Sequence, residues 1–292
     1  MSSTLVIGGT GNVGQGVVAA LLEAGDEVRV LTRDKAGATA TAQAEAGADI
    51  FAGDLGDPSC LDAALSGLDR VVSITTLSEA QATQTANIVE ATKRVAPDAH
   101  FVRMSALVPE PALEIRAGKQ VHDMDEVLRA SGLRYTIVRP TFFMQNLIGM
   151  AGATVAAEGM IYLPMRDGEL GMIDVRDIVD SLVAVLRDGG PQGETIELTG
   201  PESVGVDRVA AAIGAAVGRD VEYLSVPREA ALESMLAMGL PQWVADAYGE
   251  MFENFASGGG DRTVDGVQRL TGHPPRSIDD FAGDHATMFQ GD

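Results

Sequence analysis

A doubly wound parallel α/β sheet followed by a smaller, mostly helical lobe is the fold class this sequence predicts, on three observations. Short β-branched runs alternate with longer amphipathic stretches through the first two hundred residues. A glycine cluster, "GGTGNVG", stands at the first turn between such a run and the stretch after it. Beyond Gly200 only helical periodicity remains. Strand–helix alternation of this kind means a parallel sheet covered on both faces.

In order, residues 4–7 read as a strand. The helix after it, from about Asn12 to Ala24, is stopped by Gly25 at C′. Residues 27–32 and 48–52 are the next strands, and Asp57-Pro58 opens a helix as N-cap and first residue. Strands at 70–75, 100–105 and 135–139 alternate with helices at 81–95 and 121–130, and a later strand covers 195–199. In "IDVRDIVDSLVAVLRDGGP", Asp174 and Asp177 make a capping-box-like, solvated helix start with Arg176, and Gly189, Gly190 and Pro191 end the helix. Helices follow in "RVAAAIGAAVG", "REAALESMLAMG" and "PQWVADAYGEMFENFA". The last aligns Val244, Tyr248, Met251, Phe252 and Phe255 on one face. "SGGGD" at 257–261 reads as a flexible joint, and Ser277 with Asp280 caps a short closing helix. The expected division is an α/β domain at 1–145, with 172–200 folding back into it, and a second lobe at 146–171 and 201–292.

Composition narrows the function classes. The 292 residues, 46% hydrophobic, suffice for a sizeable core. With 21 basic against 42 acidic residues the net charge is −21, which disfavours nucleic acid and anionic membrane as partners. A lone Cys60 rules out an intrachain disulfide framework and a cysteine metal cage, and fits a reducing cytoplasm. His273 and His285 show no metal spacing, so no metal is expected. The opening "MSSTLVIGGTG" lacks the regions of a secretory signal. The apolar stretch "YTIVRPTFFMQNLIGM" is interrupted by Arg139, Pro140 and Asn146, so no membrane span is expected.

"LVIGGTGNVGQGVV" carries the strongest local signal. Gly9, Gly11 and Gly14 satisfy G-x-G-x-x-G, and Gly8, Gly11 and Gly14 satisfy G-x-x-G-x-x-G, with Thr10, Asn12 and Val13 between them. Preceded by a strand and opening a helix, such a loop lets a pyrophosphate approach backbone N–H groups at the helix's positive end. Its plainer alternative is a glycine turn that packs helix tightly on strand. Arg33, where a plain NAD binder carries an acid, suits a 2′-phosphate with Lys35 nearby, which favours NADP(H) over NAD(H); otherwise it is a solvated loop arginine. Asp54 suits the adenine amino group with Leu55 against the ring, or is a turn residue. Thr75, Thr76 and Ser105 end strands four and five, where hydroxyls point toward the nicotinamide half.

These motifs continue in "VRVLTRD", "GDLGDP", "VRMSA", "HDMDEVLRASGLRYTIVRPTFFMQN", "MIDVRDIVDSL", "IELTGPESV" and "LTGHPPRSIDDFAGDHATMF". In that order, over nearly the whole chain, the sequence resembles an atypical short-chain dehydrogenase/reductase of the NmrA-like NAD(P)-binding branch. That branch holds quinone and azo-dye reductases, phenylpropanoid reductases and redox-sensing regulators. The resemblance implies a Rossmann-type fold, with Pro140, Thr141 and Phe142 beside the nicotinamide and Phe143, Met144 and Asn146 leading into a substrate lobe. It also implies that Ser105 orients a carbonyl. In the wider superfamily a Tyr and a Lys four residues later handle the proton. Here the same register holds Gly118 and His122.

Hydride transfer is the cofactor's chemistry, so the missing tyrosine restricts the substrate rather than forbidding turnover. A positioned acid is worth roughly 10²–10⁴-fold for a plain ketone, whereas quinones and azo compounds take protons from water. His122 is the remaining donor or a ribose-binding group; alternatively it is a surface residue facing Glu126 one turn on. Lys119 reaches the same cleft, or is solvated and paired with Asp123. Cys60, on the adenine side, has no partner for nucleophilic work. Met144, Met150, Met160, Met165, Met235, Met238 and Met251 fall in the second lobe and either line an adaptable apolar pocket or fill a core. Trp243 and the Tyr248 face wall that pocket or cement the lobe. The expectation is an NADPH-dependent reductase of a small hydrophobic electrophile, monomer or homodimer, without flavin. A non-catalytic NADP(H) sensor is the rival, and a sugar-nucleotide epimerase, which needs the Tyr/Lys pair, is the weaker third.

Overall fold

The structure, a computed structural model, describes residues 2–108, 114–187 and 190–291. It forms two compact units. The first comprises Met1–Ala106, Gln120–Arg139 and Ile178–Ile196; the second comprises Leu107–Lys119, Pro140–Asp177 and Glu197–Asp292.

The first unit is built on strands β1 (Ser3–Ile7), β2 (Glu27–Thr32), β3 (Asp49–Ala52), β4 (Arg70–Ile74), β5 (His100–Met104) and β6 (Arg134–Pro140). With β9 (Glu194–Leu198) they form one sheet in the order β3-β2-β1-β4-β5-β6-β9. Pairings from β3 to β6 are parallel. Chain order reverses between β1 and β4, the switch point outside which an open α/β sheet leaves a ligand crevice. β-branched runs make these strands because both faces are covered: Leu5, Val6, Val71, Val72, Phe101, Val102, Ile137 and Val138 are fully buried. Around the sheet run α1 (Asn12–Glu23), α2 (Ala38–Glu45), α3 (Leu61–Leu65), α4 (Gln81–Val95) and the later part of α5 (Arg116–Arg129). Helix α1 buries Val13, Val17, Val18 and Leu21 on one face and ends at Gly25, φ +80°.

The second unit holds α6 (Asn146–Glu158), a parallel pair of β7 (Met160–Leu163) with β11 (Glu222–Ser225), and a short pair of β8 (Glu169–Leu170) with β10 (Val204–Gly205). Its remaining helices are α7 (Val175–Leu186, mostly in the first unit), α8 (Val206–Val217), α9 (Arg228–Ala237), α10 (Gln242–Ala256), α11 (Gly266–Thr271) and α12 (Ile278–Asp284). One core joins Phe142, Met144, Leu147, Ile161, Ile213, Phe252, Phe281 and Phe289. The capping box of Ser277 and Asp280 forms as expected.

Helix α5 starts at Arg116, five residues before the expected 121, because Gly118 is buried within it rather than breaking it. Helices α2 and α6 and strands β7, β8, β10 and β11 went unread. "ATATAQAE" buries only Ala40 and Gln43, and α6 is apolar on most sides, so neither shows a clear 3.6-residue stripe. The "SGGGD" stretch is no flexible joint. Gly258 and Gly259 donate to Phe255 and Asn254 carbonyls at 2.9 Å, and buried Gly260 accepts from Gly171. The start of α7 is not solvated either, since Asp174 and Asp177 are fully buried. Asp174 accepts from the Arg176 N–H at 2.8 Å, but the Asp177 carboxylate turns to Arg276 instead of closing a capping box. Gly189, expected to end that helix, lies outside the described residues.

Candidate active site

In the first unit the loop from Gly8 to Gly14 joins β1 to α1. Gly8 has φ +80°, and a Cβ there would overlap the Ile74 carbonyl; one at Gly14 would overlap the Gly8 carbonyl. These two positions require glycine. The loop's carbonyls are all engaged. Gly8 O accepts from Gly11 N at 3.0 Å, Gly9 O from Gln43 Nε2 at 2.6 Å, and Thr10 O from Gln15 Nε2 at 3.1 Å. Helix α1 opens at Gly11 with no side-chain cap and no acid in its first turn. Its first N–H groups are therefore unmatched donors at the positive end of a helix. A Cβ on exposed Gly11 would meet nothing nearer than 3.5 Å, so the space beside that end is open. Exposed Asn12, half-buried Thr10 and buried Val13 complete the loop. A pyrophosphate fits this donor set.

Arg33 and Lys35, beyond β2, are exposed and meet no polar partner among the described residues, whereas Asp34 between them is turned onto the Ala36 N–H. Asp54 forms an Asx turn with Gly56 N at 2.7 Å, so the turn reading holds for one of its oxygens. Half-buried Leu55 packs on the unit's core, its carbonyl taken by Asn87. Thr75 is buried with Oγ1 on Gln81, and Thr76 is exposed.

At the carboxyl ends of β5 and β6 stands an unforeseen cluster. Asp125 on α5, fully buried, accepts from Arg103 Nε at 2.9 Å, from Arg139 Nε at 2.9 Å and Nη2 at 2.7 Å, and from Ser105 Oγ at 3.0 Å. Burial pulls the Arg103 guanidinium below its ordinary pKa, and the Asp125 carboxylate works against that pull. The Ser105 hydrogen is thereby committed to that carboxylate. His122 is exposed on the flank of α5 with no polar partner among the described residues. Glu126 does not face it but pairs with Arg129 at 2.6 Å. Lys119 is exposed and not without a partner. Its helical position is almost opposite the buried face of Gly118, Val121, Asp125 and Leu128.

In the second unit, buried Pro140 is followed by Thr141, whose N–H donates to Leu198 O at 3.0 Å. The Phe142 ring is taken up by the core, 6.1 Å from both Phe252 and Phe255. Phe143 bridges to Ile173, Met144 is buried, and Asn146 opens α6. Trp243 lies under the Arg116 guanidinium at 5.9 Å, and Arg116 also binds Glu250 and Asp246. Tyr248 stacks on Phe252, and burial pushes its phenol pKa up. Among the methionines, Met144, Met165 and Met235 are ordinary core filling, while Met238 is 58% exposed. Burial works against the charge of Asp174, but Arg176 and Gln145 outweigh it and hold that carboxyl below its usual range. Burial pushes Asp177 up despite Arg276. Burial also raises the Cys60 thiol, against any nucleophilic role. Among the described residues no group of three metal-ligating side chains occurs, and no helix is long and apolar enough to cross a membrane.

A model of the NmrA-like family matches residues 1–282. The chain belongs to the NmrA-like family. This NmrA-like chain is 35% identical over 98% of both chains to an NAD(P)H azoreductase of Xenophilus azovorans. Its fold superposes with TM-score 0.84 on an NADPH-dependent quinone oxidoreductase of Escherichia coli complexed with NADPH, at 21% identity over 96% of this chain and 99% of that one. It superposes at 0.82, with 20% identity over 98% and 96%, on NmrA, a negative transcriptional regulator, in complex with NADP. At those identities the two structures speak to the fold alone.

Sequence reasoning found the cradle of this family member but missed Gln43, Arg103, Asp125 and Arg139. Gln43 lies in an unread helix. "HDMDE" offered three acids of equal appearance, and only the face shared with Val121 and Leu128 marks Asp125 as the buried one.

Proposed function

We propose that this chain is an NADPH-dependent reductase of a small, hydrophobic, electrophilic substrate of quinone, conjugated-carbonyl or azo type. The observation that carries the reading is the likeness to an NAD(P)H azoreductase along essentially the whole of both chains. The open, uncapped glycine cradle supports it independently. In this reading the N–H groups at the start of α1 hold the pyrophosphate. The unengaged Arg33, with Lys35, takes the 2′-phosphate. Asp54 and Leu55 border the adenine, and Thr75, Thr76 and Ser105 border the nicotinamide half. Phe143, Met144, Asn146 and Trp243 belong to the lobe that holds the substrate. The bound dinucleotide supplies the hydride. The chain's own residues orient it, and the proton comes from solvent or exposed His122. Kinship with the wider short-chain dehydrogenase/reductase superfamily belongs to the same proposal, with departures at Gly118 and His122. So do a cytoplasmic location and a monomeric or dimeric state.

The sensor reading draws on Gly118 and on the committed Ser105 hydrogen, which leave that place without a hydroxyl hydrogen to give among the described residues. The reductase reading expects NADPH oxidation across a quinone and azo-dye panel. It also expects Arg33→Ala to raise the Kd for NADPH about tenfold or more, the value of a charged hydrogen bond or two, with little change for NADH. An unchanged NADPH affinity in that variant contradicts the NADP assignment.

A further inference from the structure

We propose that Asp125 is a positioning residue that, by taking the Ser105 hydrogen, turns Ser105 into a hydrogen-bond acceptor for the carboxamide N–H₂ of the nicotinamide. This rests on the cofactor reading above and adds a role for four residues of the first unit.

A serine hydroxyl has one hydrogen and two acceptor sites, and a carboxylate only accepts. With Ser105 Oγ 3.0 Å from Asp125 Oδ2, the hydrogen must lie between them. Turned away, it would leave two oxygens facing lone pair to lone pair in a buried place. Nothing in the surroundings lets Asp125 move. Arg103 from β5 holds one of its oxygens, and Arg139 from β6 holds the other twice. The serine backbone is fixed as well, its N–H donating to Val138 O at 2.8 Å. Ser105 keeps 8% exposure just past the end of β5. That is the β4–β6 side of the switch point, the half that receives the second mononucleotide of a dinucleotide. What it presents there is lone pairs alone. A carbonyl oxygen of an oxidising substrate finds no donor in it, whereas a carboxamide offers two N–H groups.

Equilibrium binding separates the possibilities, using NADP⁺ and its 3-acetylpyridine analogue, which keeps the ring carbonyl but has methyl in place of N–H₂. Ser105→Ala is expected to loosen NADP⁺ about three- to tenfold, the effect of one ordinary hydrogen bond, and to leave the analogue unchanged. Ser105→Thr, which keeps the hydroxyl, is expected to restore the difference. Asp125→Glu should retain the discrimination and Asp125→Leu, which leaves no acceptor for the Ser105 hydrogen, should lose it; a folded Asp125→Leu protein that still discriminates overturns the role of Asp125. Should that variant not fold, the two Ser105 variants decide alone. Equal loosening of both ligands by Ser105→Ala, or no loosening of either, overturns the inference while leaving the reductase reading intact. A wild-type protein that binds neither NADP⁺ nor NADPH brings down both.

Discussion

Thr136 has one hydroxyl hydrogen, and the Pro191 carbonyl takes it. The Thr136 oxygen must then accept from the His100 ring 2.8 Å away, which places the hydrogen of a neutral imidazole on Nε2. Burial first, then the charges of Arg134 and Arg70, lower the His100 pKa from 6.5 to about 4. A ring that resists protonation when folded but not when unfolded stabilises the protein fully above pH ~6.5. That stability is lost as pH falls toward about 4, because the unfolded chain then binds the extra proton. The difference is worth about 3 kcal/mol. Urea unfolding at pH 7.5 and pH 5 is expected to show the drop, and His100→Gln is expected to flatten it. A wild-type stability that stays constant over that range counts against the buried neutral ring.

At the scale of elements, the β1–α1 turn separates two uses of glycine. Gly14→Ala must push its methyl into the Gly8 carbonyl, so it should cost about 1–3 kcal/mol of stability and abolish nucleotide binding. Gly11 has φ −84° and open space around it, so Gly11→Ala should stay within about 1 kcal/mol of wild type while weakening NADPH, whose phosphates need that space. Thermal melts and cofactor titration of the two variants check this; a Gly11→Ala protein that binds NADPH normally places the phosphates elsewhere. Most elements of the sheet were legible because β-branched runs buried on both faces leave a local signature, and the strands lie within about a residue of their expected bounds. The glycine spacing was legible because the tight turn and close backbone approach it serves lie within seven consecutive residues. Asp125 was not: its partners come from β5 and from the end of β6, and nothing within α5 announces them. Nor was the burial of Asp177, since Arg276 lies 99 residues along the chain. Local periodicity shows which face of a segment is apolar, but not which distant charge will neutralise a buried one.

For the whole molecule, a net charge of −21 keeps polyanions away, yet the proposed ligand is itself a polyphosphate. The fold meets that conflict locally. An uncapped helix end and two unengaged cations beyond β2 present positive potential where the dinucleotide would lie. In the proposed reading Gly118 offers no acid and the Ser105 hydrogen is bound inward, so the proton falls to solvent or exposed His122. Hydride delivery is what the reading asks of the chain. The most direct test supplies NADPH deuterated at C4 on one face or the other, together with a quinone, and reads the deuterium left in the NADP⁺ product. A reductase is expected to yield deuterium-free NADP⁺ from one epimer, with slowed turnover, and NADP⁺ that retains its label from the other. Tight binding of NADPH with no oxidation of either epimer, across quinone, azo and conjugated-carbonyl substrates, would contradict it and leave the sensor.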